Sequence, residues 1–232
     1  MVDDAEPSRG DLGGRLNQLR AGVLGANDGI VSTAGIVIGM AAATNSVPVI
    51  LAAGLAGLAA GALSMASGEY VSVSTQRDTE RALLEAERAQ LARDPEGALQ
   101  ELADEYVAKG LSAPLALQVA TELSAGDALG AHADAELHLD PDALTNPWQA
   151  AAASIVSFTI GGILPLLAIV LVPVDVRVPV TFVAVVLALV LTGYVSARLG
   201  HAPTSRATVR TVVGGALAMG ATFALGSAFD VG

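Results

Sequence analysis

GALSMASGEYVSVSTQRDTERALLEAE, residues 61–87, is the stretch whose reading decides the fold. It starts as an apolar run of membrane type, holds a carboxylate at Glu69, turns acidic, and meets no helix breaker before Pro95. At about 100° per residue, Met65, Glu69, Ser72, Gln76, Glu80, Glu87 and Gln90 fall within roughly 80° of one another around one helix. At ~1.5 Å rise per residue this polar stripe runs on the order of 33 Å from Met65 to Glu87, enough to connect a bilayer interior with what lies outside it.

Outward from this stretch the chain is apolar on both sides. Of 232 residues 53% are hydrophobic and only 15% charged, a balance too apolar for an ordinary soluble domain. Five spans are expected: Leu19 to Ala43, Val49 to about Ser74, Pro147-Trp148 to about Val172, Val180 to Ala197, and Thr211 to about Phe229. Glycines recur on the first span, and Gly57 and Gly61 form a GxxxG pair on the second, a signal of close packing or dimerisation. Trp148 suits a membrane interface, and Gly161, Gly162 and Pro165 allow the third span to bend.

The net charge of −11 is local. Asp78 to Asp142 holds 15 acids and 4 bases, whereas the rest of the chain holds 8 of each. Such a block attracts cations and repels nucleic acid. Its alanines and leucines recur at helical spacing, and breaks at Asp94-Pro95, Lys109-Gly110 through Pro114, and Asp140-Pro141 divide it into three amphipathic helices. The fold class is therefore an all-α polytopic membrane protein with five transmembrane helices and a three-helix cytoplasmic lobe inserted between helices 2 and 3. The domains are a disordered tail over 1–14, spans 1 and 2 within 15–77, the acidic lobe 78–142, and spans 3 to 5 within 143–232.

Basic residues set the orientation. Arg9, Arg15, Arg20, Arg198, Arg206 and Arg210 fall on one side and Arg177 on the other, which puts the N-terminus and the lobe in the cytoplasm. The first residues lack an apolar run behind a basic start, so no cleavable signal peptide is expected. The absence of cysteine excludes disulfides, zinc–thiolate sites and iron–sulfur clusters.

Two carboxylates stand inside expected spans, Asp28 in GANDGIVS and Glu69 in SGEY. A charge at the centre of a membrane helix costs about 2.5 to 3.5 kcal/mol on insertion scales, which marks such positions as functional unless they snorkel or pair with a residue such as Arg20. Met65 lies one turn from Glu69 on the same face. A thioether with carboxylate oxygens suits Fe²⁺ or Mn²⁺ better than an all-oxygen Mg²⁺ or Ca²⁺ cage, and lacks the Cys and His of a zinc site. In the lobe, His132 with Glu136 and Glu101 with Glu105 are i, i+4 pairs, a pattern also common on solvated helices. His138 and His201 have no motif around them and are read as structural.

RLNQLRAGVLGANDGIVSTAGIVIGM, GALSMASGEYVSVSTQRDTE and an acidic helical insert between the second and third of five spans resemble the vacuolar iron transporter family in its bacterial form, over about residues 15 to 229. The resemblance implies a homodimer with a pore between protomers and a divalent metal exported from the cytoplasm in exchange for protons. It also implies a pathway lined by an Asp of the first span and a Met of the second, matching Asp28 and Met65. Where eukaryotic members carry a further glutamate on the second span, Gly57 stands here, and Glu69 is what this sequence offers instead. The family's lobe binds metal through ExxE glutamates on its first two helices and through Met and Glu on its third. Glu87 and Glu101 fit, but Gln90 and Ala98 hold the partner positions; Glu136 fits, and His132 takes a position where plant members have Met. The implied lobe ligands are Glu87, Glu101, His132 and Glu136, with Glu80 and Glu105 as helpers.

These readings converge on a transporter for Fe²⁺ or Mn²⁺ in a bacterial cytoplasmic membrane, with metal ions, protons, the lipid bilayer and a second copy of the chain as partners and no prosthetic group. Metal and protons compete for Asp28 and Glu69, which with alternating access suffices for antiport. The rivals are a metal-responsive membrane sensor and a channel without proton coupling. An enzyme is not expected, because the paired Glu-x-x-His motifs of a ferritin-like di-iron site are missing.

Overall fold

The computed structural model describes residues 9–200 and 203–229, with side chains from Arg20 onward. The regular structure among them is helical: α1 (Arg9–Ala43), α2 (Val47–Arg93), α3 (Pro95–Ala108), α4 (Ala113–His132) continued by a π-helical turn at Ala133–Leu137, α5 (Pro147–Leu171), α6 (Arg177–Leu199) and α7 (Thr204–Ala228). Of these α1, α2, α5, α6 and α7 are long and apolar enough to cross a membrane. The first eight residues of the expected tail over 1–14, and His201, lie outside the described residues; from Arg9 the backbone is already helical.

The chain forms two compact units, one built on Val71–Pro147 and the other on Gln18–Tyr70 together with the chain from Trp148 on. In the second, Ile30, Val37 and Ile38 of α1 pack with Ile50 and Leu58 of α2, Phe158 and Ile169 of α5, Leu189 of α6 and Met219 of α7. Leu63, Leu171, Leu187, Leu191 and Leu217 stay exposed, the outward apolar surface that lipid would cover. Apolar side chains gain little from leaving lipid for one another, so small residues that let backbones approach carry the packing. A Cβ on Gly29 would collide with the Phe158 carbonyl, and one on Gly161 with the Ala26 carbonyl, so α1 and α5 cross nearly backbone to backbone. The GxxxG pair also packs within this chain, but against side chains: Gly57 receives Ile36, and Gly61 receives the Phe158 ring.

The two ends of this unit are marked by one polar and one aromatic contact. At one, Arg177 is buried and donates to both the carbonyl and the side-chain oxygen of Asn45, each at 3.3 Å, tying the α1–α2 turn to the start of α6. Toward the other, the Tyr70 and Trp148 rings meet at 4.7 Å, where α5 begins. Two helices start earlier than expected. α6 takes in Pro179, which is tolerated because the first-turn N–H groups of a helix have no intrahelical partner to lose. α7 takes in Arg206 and Arg210, whose long stems allow a charge on a helix to reach polar surroundings.

In the first unit, Leu102, Ala103, Ala120 and Ala135 make a small core. Asp94 caps α3 by accepting the Gly97 N–H at 3.0 Å, with Pro95 in the first turn. α3 ends at Gly110, whose φ of 104° is costly for any residue with a Cβ, and Leu111 N–H closes onto the Tyr106 carbonyl at 3.1 Å. α4 is kinked: Asp127 leaves helical geometry at φ −149°, ψ 91°, and its side chain accepts the Gly130 N–H at 3.0 Å, restarting the helix. The last turn widens into π geometry and stops at His138, the one described non-glycine residue at positive φ.

Candidate metal centre

Three side chains from separate parts of the first unit meet at one point. Glu87 comes from the last two turns of α2, His132 closes α4, and Glu136 sits in the π-helical turn, one helical turn beyond His132. His132 Nδ1 lies 3.1 Å from Glu87 Oε1 and 2.8 Å from Glu136 Oε1. One donor atom from each residue falls within 4.8 Å of the others. His132 is fully buried and Glu87 is 7% exposed.

These atoms are close but poorly bonded to one another. Glu87 Oε1, Glu136 Oε1 and both ring nitrogens of His132 are buried without an aligned hydrogen bond. Leaving such groups unsatisfied costs about 1–3 kcal/mol each, more if charged, and the approach of His132 Nδ1 to the two carboxylates offsets only part of that, so an arrangement of this kind favours a ligand. An imidazole with two carboxylates fits Fe²⁺ or Mn²⁺ in donor chemistry, and offers neither the thiolates of a structural zinc site nor the all-oxygen shell of calcium. Among the described residues no other group of three His, Cys, Asp or Glu residues converges in this way.

Electrostatics favour the same occupant. Burial raises the Glu136 carboxyl above its ordinary range, and the nearby Glu87 and Glu101 charges add to this against the opposing pull of His132. A dication in the cluster would reverse that balance by stabilising the ionised form. The widened turn that presents Glu136 is held from outside: Lys109 Nζ donates to the Ala135 carbonyl at 3.1 Å. Sequence reasoning passed over Lys109 because a lone lysine before a glycine reads as a helix-end residue.

The other lobe residues singled out in the sequence are placed differently. Glu101 accepts a hydrogen bond from Gln90, the residue standing where the family pattern has a second glutamate. Glu80 is 7% exposed and fully engaged: it accepts from Gln76 Nε2 at 2.9 Å, from Thr145 N at 3.2 Å and from Thr145 Oγ1 at 3.1 Å. It anchors the segment leading to α5 and does not join the cluster. Glu105 is half-buried on α3, outside the cluster, and its carbonyl accepts the Lys109 N–H at 3.1 Å. His138 contacts the Asp134 carbonyl through Nδ1 at 3.2 Å, a local helix-end contact.

In the membrane-spanning unit, Asp28 is half-buried and accepts from Ser32 Oγ at 2.8 Å. Arg20, considered in the sequence as a partner for Asp28, instead approaches Glu69, with Nη2 3.6 Å from Oε2. That oxygen is buried and has no hydrogen bond, the Glu69 side chain being 11% exposed and Arg20 largely solvent-facing. Met65 is half-buried against the core. Asn27 Oδ1, beside Asp28, is a further buried oxygen without a hydrogen bond, and no motif or spacing singles it out beforehand.

Comparison with known proteins gives a uniform result. The VIT family model matches residues 19–227. A vacuolar iron transporter of Acanthamoeba castellanii is 43% identical over 225 residues, covering 96% of this chain and 82% of its own length. Vacuolar iron transporter homolog 1 of Arabidopsis thaliana is 37% identical, covering 93% of this chain and 84% of its own length. Vacuolar iron transporter homolog 5 of rice is 38% identical, with coverage of 93% and 82%. Matched along nearly its whole length and built on five apolar helices, the chain is a multi-pass membrane protein belonging to the VIT family.

Proposed function

We propose that the protein transports Fe²⁺ or Mn²⁺ out of the cytoplasm in exchange for protons, serving metal homeostasis and detoxification, as a homodimer in a bacterial cytoplasmic membrane. The observation that carries this reading is the buried Glu87, His132 and Glu136 cluster, whose donor atoms converge without aligned hydrogen bonds in an acidic segment. Similarity to proteins named vacuolar iron transporters supports the substrate class.

In this reading the acidic block, a three-helix cytoplasmic lobe over 78–142, raises the local cation concentration, and Glu87, His132 and Glu136 bind the dication. Glu101, hydrogen-bonded to Gln90, is the reserve ligand. Transport then uses Asp28, Met65 and Glu69. Glu69 Oε2 has only a distant arginine opposite it, so a dication is a stronger partner than the one it has. Metal binding requires ionised carboxylates, and release lets protons return to them; with alternating access, the two cargoes move in opposite directions.

The second reading is a metal-responsive sensor. Its support is that the convergent cluster lies in one unit, whereas Asp28 and Glu69 of the other have separate partners, Ser32 and Arg20. Purified protein in liposomes separates the two: competing Fe²⁺ and Mn²⁺ fluxes are expected, and the stronger competitor is the preferred cargo. Metal binding with no flux of either ion would select the sensor.

A further inference from the structure

The charge distribution isolates one region from everything above. From Val176 to Phe229 the sequence contains no acidic residue and four arginines, Arg177, Arg198, Arg206 and Arg210, in a chain whose net charge is −11. Arg177 is buried against Asn45 at one end of α6. The other three lie around the α6–α7 connection, Arg198 in the last turn of α6 and the remaining two in the first two turns of α7.

A groove of about 490 Å³ runs between these helices toward that connection. Close approach makes it possible: a Cβ on Gly193 would lie 2.9 Å from Thr208 Cα, so the backbones nearly touch and larger neighbours stand up on either side. Leu187, Val190, Leu191 and Val209 form its apolar length, and all four are exposed. Tyr194, Thr204, Ser205 and Thr208 line the rest. On α6, Leu187, Leu191, Tyr194 and Arg198 follow helical spacing along one face, so the stripe ends in a guanidinium.

Arg198 is held at that end. Its Nε donates to Tyr194 Oη at 3.0 Å, and the guanidinium stands 5.4 Å from the Tyr194 ring centroid. The two terminal nitrogens are then the pair that takes a phosphate in a bidentate fork. Thr204 and Ser205 occupy the first turn of α7, where N–H groups lack intrahelical partners and no side chain caps the helix. We propose that this groove binds an anionic phospholipid, with acyl chain along Leu187, Val190, Leu191 and Val209 and phosphate between Arg198 and the start of α7. A water-soluble phosphate has no use for the apolar length, and a lipid of zero net charge has less use for the Arg198 guanidinium held at its end.

The test uses the purified full-length protein in detergent, with native mass spectrometry after addition of phosphatidylglycerol or phosphatidylcholine of identical acyl chains. Phosphatidylglycerol is expected to bind about fivefold or more over phosphatidylcholine, the size of effect one interfacial arginine supplies. Arg198→Ala should abolish the preference, and Leu191→Trp, which fills the groove with the arginine intact, should abolish phosphatidylglycerol binding. If Arg198→Ala does not fold, Arg198→Gln carries the same prediction. Equal binding of the two lipids overturns the proposal, and so does a preference that survives either substitution. Loss on Arg198→Ala without loss on Leu191→Trp also overturns it, because the headgroup would then be held without the groove.

Discussion

His132 is the residue on which the proposed metal centre depends, because its ring alone approaches both carboxylates. His132→Ala removes one of three donors and is expected to weaken Fe²⁺ or Mn²⁺ binding by the lobe about 100-fold, since even supporting residues around metal ligands are worth 10–100-fold. Equilibrium dialysis of the purified protein measures this, and residual binding at full strength would assign the metal elsewhere. Glu136 gives the pH dependence. Its carboxyl is raised above the ordinary value of 4.5, so the metal-free folded protein holds this proton more tightly than the unfolded chain does. The resulting contribution to stability is complete below the unfolded value and is lost as pH rises through the folded one. Melting of the metal-free protein at a series of pH values above 4.5 should therefore show a decline that Glu136→Gln flattens, and added metal should reverse the trend. The i, i+4 spacing of His132 and Glu136 was legible in the sequence, but Glu87 is 45 positions from His132 and joins them only through tertiary structure, so its place came from family resemblance. Glu80 shows the converse. An acidic residue on the polar stripe reads as a ligand, and nothing in its own neighbourhood announces that Thr145, 65 positions away, will claim it.

At the scale of the element, α2 carries the most information. The absence of a breaker before Pro95 predicted one long helix, and α2 runs unbroken from Val47 to Arg93 because no residue in that interval removes a helical hydrogen bond except Pro48, in its first turn. Pro and Gly breaks at Asp94-Pro95 and Lys109-Gly110 were equally readable, since these residues act through local backbone restrictions. The α4 kink was not. Its apolar spacing continues through Asp127, and the break appears only when the side chain is seen to cap Gly130. The π-helical turn has no sequence signal either, being a matter of one extra residue in a helical turn. The Glu80 anchor belongs to this scale as well, because it fixes the segment between Leu137 and α5. Glu80→Ala leaves the Thr145 N–H and hydroxyl without their acceptor and is expected to cost about 1–3 kcal/mol. The checks are the unfolding midpoint, which should fall, and lobe metal affinity, which should stay near wild type; a large loss of affinity would return Glu80 to the ligand set.

For the whole molecule, the number of apolar helices could be counted from hydropathy because each must satisfy its backbone internally and present apolar side chains outward. Which helices touch could not, because contacts in lipid depend on where small residues let backbones meet, as at Gly29 with Phe158 and Gly161 with Ala26. The charge pattern bears on the proposed functions more directly. Acids gather between Asp78 and Asp142, and the last two spans hold arginines without acids, a division suited to gathering dications in one place and anionic lipid in another. Proton-coupled transport through Asp28 is the central claim. Its most direct measurement is Fe²⁺ or Mn²⁺ uptake into liposomes containing purified protein, with and without an imposed pH gradient, for the wild type and Asp28→Ala. The proposed mechanism predicts uptake that rises with a gradient driving protons the opposite way, and collapse of that uptake in Asp28→Ala. Uptake indifferent both to the gradient and to the substitution would contradict it.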